Sequence, residues 1–214
     1  MEEATKTVHY QSVNSYETLY QLTDTTKNVW ITFHGMGYLS RYFLKPFRVL
    51  DEKENYLIAP QAPSKYYLDE MFRRVGANWL TREDTPREIE NVLNYVDKVW
   101  EAENITNTKN VILFGFSQGV SIVTRWLARK RIPCQKLVLY AGGIPNELTP
   151  DDFKFLTAHA TEVLLIYGDK DPYLNEERIA AEIKKADTLF GSSVQTILFK
   201  GGHHLQEELL QKIL

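Results

Sequence analysis

The chain has one cysteine, Cys134, in 214 residues, which excludes an intrachain disulfide, and no Cys-x-x-Cys spacing suggests a zinc site. Cys134 itself reads as a small thiol buried among apolar neighbours. No uncharged apolar run approaches the ~18 residues of a membrane-spanning helix. The opening residues, Met1-Glu2-Glu3-Ala4-Thr5-Lys6, lack the apolar core of a secretion signal, so a cytoplasmic protein is the expectation. Charge of one sign is not in excess: 25 Lys and Arg stand against 28 Asp and Glu, a net charge of −3. That balance gives no electrostatic reason to expect nucleic acid or an anionic membrane as partner. Internal repeats, low-complexity tracts and Gly/Ser/Pro-rich linkers are missing too. The length suits one compact domain, expected to span 1–214, rather than two.

What is present is an ordinary globular composition, 43% hydrophobic and 25% charged, arranged as an alternation. Short apolar runs at 29–33, 56–59, 111–114, 137–140, 163–167 and 194–199 each end at or just before a glycine or proline. They are apolar throughout, the pattern of strands covered on both faces. Amphipathic helical patterns lie between and after them at 86–100, 118–131, 175–189 and 205–214. In the first of these, Ile89, Val92, Leu93, Val96 and Val99 recur at helical spacing, and Asp84 is placed as its N-cap. Trp100 and Trp126 fall on apolar helix faces and read as core. Two early segments, 7–13 and 17–22, alternate polar and apolar residues and predict an antiparallel hairpin at the sheet edge. Strand and helix in turn predict an α/β fold, a mainly parallel sheet between two helical layers, with no stretch long enough for a cap domain. Ligands of such sheets bind beyond the carboxyl ends of the strands, so the residues just after each run are the candidates.

One of those positions is chemically pointed. Gly115-Phe116-Ser117-Gln118-Gly119 matches Gly-x-Ser-x-Gly, follows a buried-strand pattern and opens a helical one. In that setting the serine sits on a strained strand-to-helix turn, and the flanking residues must be small. A serine hydroxyl needs a base within hydrogen-bond reach, and the chain order nucleophile, acid, histidine puts that base late. Of five histidines, His9 and His159 read as surface residues, and His34 precedes the serine. His203 and His204 follow the last strand run and Gly201-Gly202; His203, at the loop apex, is favoured, with His204 opening the final helix. The acid belongs after the preceding run. In Gly168-Asp169-Lys170-Asp171-Pro172, Asp171 lies past the turn and is favoured, whereas Asp169 reads as a turn-former bonding local amides. Two backbone N–H groups should form an oxyanion hole, one from Gln118 and one from Met36 in His34-Gly35-Met36-Gly37. His34 then braces its loop. The aromatic-rich stretch 66–79 has no clean period; Tyr38, Phe72 and Trp79 are candidate apolar contacts for a substrate, with packing on the core as the alternative. Arg73-Arg74 offers charge for an acidic substrate group or, more commonly, a solvated pair.

Five motifs in order resemble the phospholipase/carboxylesterase family of α/β-hydrolases, which includes bacterial carboxylesterases and acyl-protein thioesterases. They are His34-Gly35-Met36-Gly37, Ala59-Pro60-Gln61-Ala62-Pro63, Gly115-Phe116-Ser117-Gln118-Gly119, Gly168-Asp169-Lys170-Asp171-Pro172 and Gly202-His203-His204-Leu205. The resemblance runs from about residue 28 to the C-terminus. It implies an α/β-hydrolase fold, a Ser117/Asp171/His203 triad, an oxyanion hole from Met36 and Gln118, and ester or thioester hydrolysis without metal or cofactor. The chain departs from the family pattern at Tyr38-Leu39-Ser40-Arg41-Tyr42, where small polar residues are usual, and at Asn78-Trp79-Leu80-Thr81, which only echoes a Trp-Phe-Asp motif. The expectation is a serine esterase acting on short- to medium-chain carboxylic esters, with thioesters or lysolipids also in range, at an open site, as monomer or homodimer. Acyl transfer, peptide-like cleavage and a non-catalytic binding role for the same fold stand as alternatives.

Overall fold

The computed structural model describes residues 4–105, 109–191 and 194–214, so half of the opening segment Met1 to Lys6 lies outside it. Along the chain run β1 (Tyr16–Leu19), β2 (Asn28–Phe33), α1 (Ser40–Phe43), β3 (Asn55–Pro60), β4 (Ser64–Tyr67) and β5 (Val75–Asn78). Then come α2 (Thr85–Glu103), β6 (Asn110–Phe116), α3 (Gln118–Lys130), β7 (Lys136–Tyr140) and α4 (Lys154–Ala158). The remainder is β8 (Glu162–Gly168), α5 (Glu176–Phe190), β9 (Val194–Phe199) and α6 (Glu207–Lys212). Seven strands form one sheet in the order β1-β3-β2-β6-β7-β8-β9, parallel except for β1, and helices flank it. This is the α/β architecture, a mainly parallel sheet between helices, expected from the alternation of runs, and it agrees with the α/β-hydrolase fold that the family resemblance implies.

The uninterrupted apolar runs have a physical cause. β2, β3, β6, β7 and β8 are buried at nearly every position, so both faces select hydrophobic side chains. The helices bury the face that their spacing predicts: Val92, Leu93, Val96 and Val99 on α2, and Val120, Ile122, Val123, Trp126 and Leu127 on α3. Trp126 is fully buried and donates its indole N–H to Asp97 at 2.9 Å, and the half-buried Trp100 meets it edge-on. Cys134 is buried, and burial pushes its thiol pKa up to about 12, which leaves it a protonated packing group. No described helix is long and apolar enough to cross a membrane.

Four expectations change. Residues 7–13 form no strand: Val8, Tyr10 and Val13 are 83%, 83% and 100% exposed, so their alternation has no apolar surface to rest on. Only β1 pairs, antiparallel to β3, with Tyr16 opposite Pro60 and Leu19 opposite Leu57. β9 is an edge strand rather than a doubly covered one, with Gln195, Thr196 and Leu198 exposed. Asp84 sits at the N-cap of α2 in a left-handed conformation (φ 50°), and its carboxylate pairs with Arg87 at 2.9 Å instead of capping an amide. The last helix begins at Glu207, two residues beyond the expected start, with Gln206 as an extended N-cap whose N–H, which has no acceptor within the helix, donates to the Tyr140 hydroxyl at 3.1 Å. The aromatic-rich stretch resolves into a separate two-stranded hairpin, β4 with β5, pairing Ser64 with Asn78 and Tyr67 with Val75.

Candidate active site

Ser117 lies between the last residue of β6 and the first of α3 with φ 53° and ψ −119°, a strained conformation for a residue with a side chain. The surrounding packing enforces it. A Cβ on Gly119 would overlap the Phe33 carbonyl oxygen, and one on Gly115 would come within 2.7 Å of the Gly119 carbonyl oxygen. The Ser117 N–H donates to the Tyr140 carbonyl at 2.8 Å, which ties the turn to β7. The hydroxyl is thus presented at the carboxyl edge of the sheet by backbone alone.

Two further loops converge on it. After β8, Asp171 is buried; its Oδ1 accepts the Tyr173 N–H at 2.9 Å, and its Oδ2 lies 2.6 Å from His203 Nδ1. His203 Nε2 lies 2.8 Å from Ser117 Oγ. With Nδ1 donating to the carboxylate, Nε2 is left as the acceptor for the serine O–H. The ring is held between Phe116 and Tyr173, with centroids at 5.0 and 4.8 Å. Asp169 does not bond the local amides expected of a turn-former: its Oδ1 accepts the N–H of Gly201, 32 residues on, at 2.9 Å, and the Lys170 N–H donates to the Gly201 carbonyl at 2.8 Å, joining the loops after β8 and β9. His204 stays outside the hydrogen-bonded line. It is exposed, rests edge-on against Phe199, and lies in the loop rather than at the start of the final helix.

On the other side, the loop after β2 reaches Ser117 through Gly35, where a Cβ would meet Ser117 Cβ at 3.0 Å. His34 braces that loop as expected. It is fully buried, its Nδ1 donates to the Gly35 carbonyl at 2.8 Å, and its Nε2 accepts the Ala62 N–H at 3.1 Å. Burial pushes its pKa down to about 4, so the ring is neutral. The Gly37 N–H donates to the Ala77 carbonyl at 2.8 Å, docking the loop on β5. Among the described residues, the backbone N–H groups of Met36 and Gln118 donate to no protein acceptor. The Gln118 side chain is committed elsewhere, accepting from the Trp79 N–H at 2.9 Å and donating to the Leu80 carbonyl at 2.7 Å.

The three aromatic candidates separate. Trp79 is 1% exposed and does not line the cleft; its indole N–H donates to the His34 carbonyl at 2.8 Å, making it a brace behind the loop and not a substrate contact. Phe72 is 69% exposed at the tip of the β4–β5 hairpin, packed only edge-on against Tyr67, and also lies outside the cleft walls. Tyr38 is partly exposed and packs on Phe43 and Phe116, beside Ser117 in sequence but again off the cleft wall. Arg74 pairs with Asp69 at 3.2 Å, and Arg73 is exposed. The cleft next to Ser117 and His203 has a volume of about 240 Å³ and is walled by Ser121, Gly142, Tyr173 and Arg178 among others.

Sequence reasoning missed those walls, and it missed Tyr140. The Tyr140 side chain is fully buried; its hydroxyl donates to the His204 carbonyl at 3.1 Å and accepts the Gln206 N–H at 3.1 Å, so it grips the loop that carries His203. The one signal in the sequence that could have found it is a hydroxyl at the end of an apolar strand run, since a buried hydroxyl must find partners.

The fold has counterparts among known proteins. The family model for phospholipase/carboxylesterase matches residues 14–214. The crystal structure of Zea mays acyl-protein thioesterase 2 superposes with a TM-score of 0.72 at 15% identity, over 94% of this chain and 96% of that one. A phospholipase/carboxylesterase from Dyadobacter fermentans gives 0.67 at 20% identity, over 96% of each chain. The Bacillus cereus carboxylesterase gives 0.66 at 16% identity, over 94% of this chain and 91% of that one. No curated protein sequence matches. At such identities the superpositions speak for the fold, while the family model spans nearly the whole chain: the protein belongs to the phospholipase/carboxylesterase family, a family of esterase-type α/β-hydrolases.

Proposed function

We propose that the chain is a serine esterase that hydrolyses short- to medium-chain carboxylic esters, thioesters included, through an acyl-Ser117 intermediate. The observation that carries this reading is the unbroken hydrogen-bonded line from Asp171 through His203 to Ser117, with separations of 2.6 and 2.8 Å. Ser117 Oγ attacks the ester carbonyl while His203 Nε2 takes its proton, and Asp171 holds the Nδ1–H tautomer and stabilises the imidazolium that forms. The carbonyl oxygen becomes an oxyanion that accepts from the free N–H groups of Met36 and Gln118, each worth ~3 kcal/mol of barrier. Collapse breaks the bond to the alcohol, which leaves with the proton from His203. Water then adds to the acyl-serine with His203 again as base, releasing the acid and restoring Ser117. Every proton moves through His203, and the reaction so drawn uses only this chain's groups and water.

A fluorophosphonate probe tests the nucleophile: wild type should be labelled at Ser117, and Ser117→Ala should not be. Full labelling of the variant, or none of the wild type, sinks the assignment. A panel of nitrophenyl esters of graded chain length, run beside an acyl-CoA and a lysolipid, then ranks the substrates.

A further inference from the structure

The cleft beside Ser117 carries groups that hydrolysis of a plain apolar ester leaves unused. Arg178, in the first turn of α5, lines the same cleft as Ser117 and His203. Among the described residues its guanidinium makes no hydrogen bond and no ion pair; only its backbone N–H is engaged, by the Asn175 cap. The nearest buried carboxylate is already matched. Glu182 accepts the Ile144 N–H at 2.9 Å through Oε2 and pairs with Lys185 at 3.4 Å through Oε1. Arg178 and Glu182 both reach the cleft wall at Gly143, where a Cβ would lie 3.4 Å from Arg178 Nη2 and 3.2 Å from Glu182 Oε1. The charge on Arg178 is therefore the uncommitted one.

Ser121 lines the cleft one helical turn beyond Ser117. Its Oγ accepts from Arg125 Nη1 at 2.7 Å, which leaves its own O–H to donate, and Arg125 is itself paired with Glu147 at 2.7 Å. A free guanidinium fork and a donor hydroxyl beside a nucleophile match the acceptors of a carboxylate. The volume, about 240 Å³, lies below the ~300–1,000 Å³ usual for drug-sized ligands, which favours a short chain.

Resting on the reading of Ser117 as nucleophile, we propose that Arg178 is a specificity-determining residue that pairs with a carboxylate on the substrate, so that the preferred substrates are short esters bearing that carboxylate a few bonds from the scissile carbonyl. The carboxylate can belong to the acyl part or to the alcohol part, and two pairs of substrates distinguish them. Monomethyl glutarate is compared with methyl 5-methylhexanoate, and carboxymethyl butyrate with isobutyl butyrate, each pair differing by a charged for an uncharged branched end. The quantity read is the ratio of kcat/KM within each pair, at low and at raised salt. In wild type one ratio should favour the anion by roughly two- to fivefold, the modest size expected of a pair open to solvent, and should shrink with salt. Arg178→Met should bring that ratio close to one, Arg178→Glu should invert it, and Arg178→Lys should keep part of it. A wild-type ratio at or below one in both pairs, or a ratio that Arg178→Met leaves unchanged, overturns the proposal. If the uncharged esters are still hydrolysed and the fluorophosphonate still labels Ser117, the specificity proposal alone falls. If no ester is turned over and Ser117 is unlabelled, the reading beneath it falls as well.

Discussion

Two histidines follow the carboxyl ends of two parallel strands, and their surroundings make them opposite kinds of residue. His34, after β2, is fully buried, and both ring nitrogens are bound to backbone: Nδ1 to the Gly35 carbonyl and Nε2 to the Ala62 N–H. His203, after β9, keeps 16% of its side chain exposed and spends one nitrogen on a carboxylate and the other on a hydroxyl. Both rings are fixed in the same tautomer by what Nδ1 meets. What separates them is the partner of Nε2. A backbone amide gives His34 nothing to deprotonate, whereas the serine O–H on a strained turn gives His203 a proton to take.

The comparison is broken most severely at the second histidine. Ser117→Ala and His203→Ala should each lower kcat/KM by roughly 10⁶, whereas His204→Ala should leave it within a few-fold. Retained activity in His203→Ala together with its loss in His204→Ala would falsify the assignment of the base. Asp171→Asn should cost about 10⁴ in kcat, because an amide can donate to Nδ1 and so select the tautomer that puts the proton on Nε2. A loss of only a few-fold would reduce Asp171 to a packing role.

At the first histidine the expected effect is on stability. The His34 pKa falls from 6.5 to about 4 on burial, so the folded state holds a neutral ring where the unfolded chain takes up a proton. Its contribution is complete above pH 6.5 and is lost as pH falls from there towards 4. At 1.36 kcal/mol per pKa unit the total is about 3 kcal/mol. Denaturant unfolding of wild type and of His34→Gln, measured from pH 7 down to 4.5, should show the gap between them narrowing as pH drops. A constant gap would mean that some other group sets the slope.

The same contrast explains what could be read from the sequence. Buried strands β2, β3, β6, β7 and β8 were legible because two covered faces force an unbroken apolar run. Ser117, Asp171 and His203 were legible as loop residues placed by strand order, and the structure brings them within hydrogen-bond reach. The β4–β5 hairpin was not, because every residue of β4 is exposed and no alternation records its pairing. Trp79 stayed open between substrate contact and core packing because an indole with a polar handle suits a pocket wall and a buried brace equally well. Arg178 follows Glu176 and Glu177 in a helical first turn, and nothing in that pattern sets it apart from a surface charge. Only the cleft beside it shows otherwise.

The smallest expected effect sharpens the comparison instead of breaking it. If the His203 loop is held for catalysis as the His34 loop is held for packing, its brace should matter to turnover and not only to folding. Tyr140 is that brace, and burial pushes its pKa up to about 12, so it remains a hydroxyl that donates to the His204 carbonyl and accepts the Gln206 N–H. Tyr140→Phe keeps the ring and removes both bonds at once. The unmet carbonyl and amide should cost about 1–2 kcal/mol of stability, read as a lower denaturant midpoint with an unchanged slope. Because the loop flanking His203 is then free to drift, kcat should fall roughly two- to tenfold while KM stays close to its wild-type value. A stability loss with kcat intact would make Tyr140 a structural residue only, and the two loops would then be held for the same purpose.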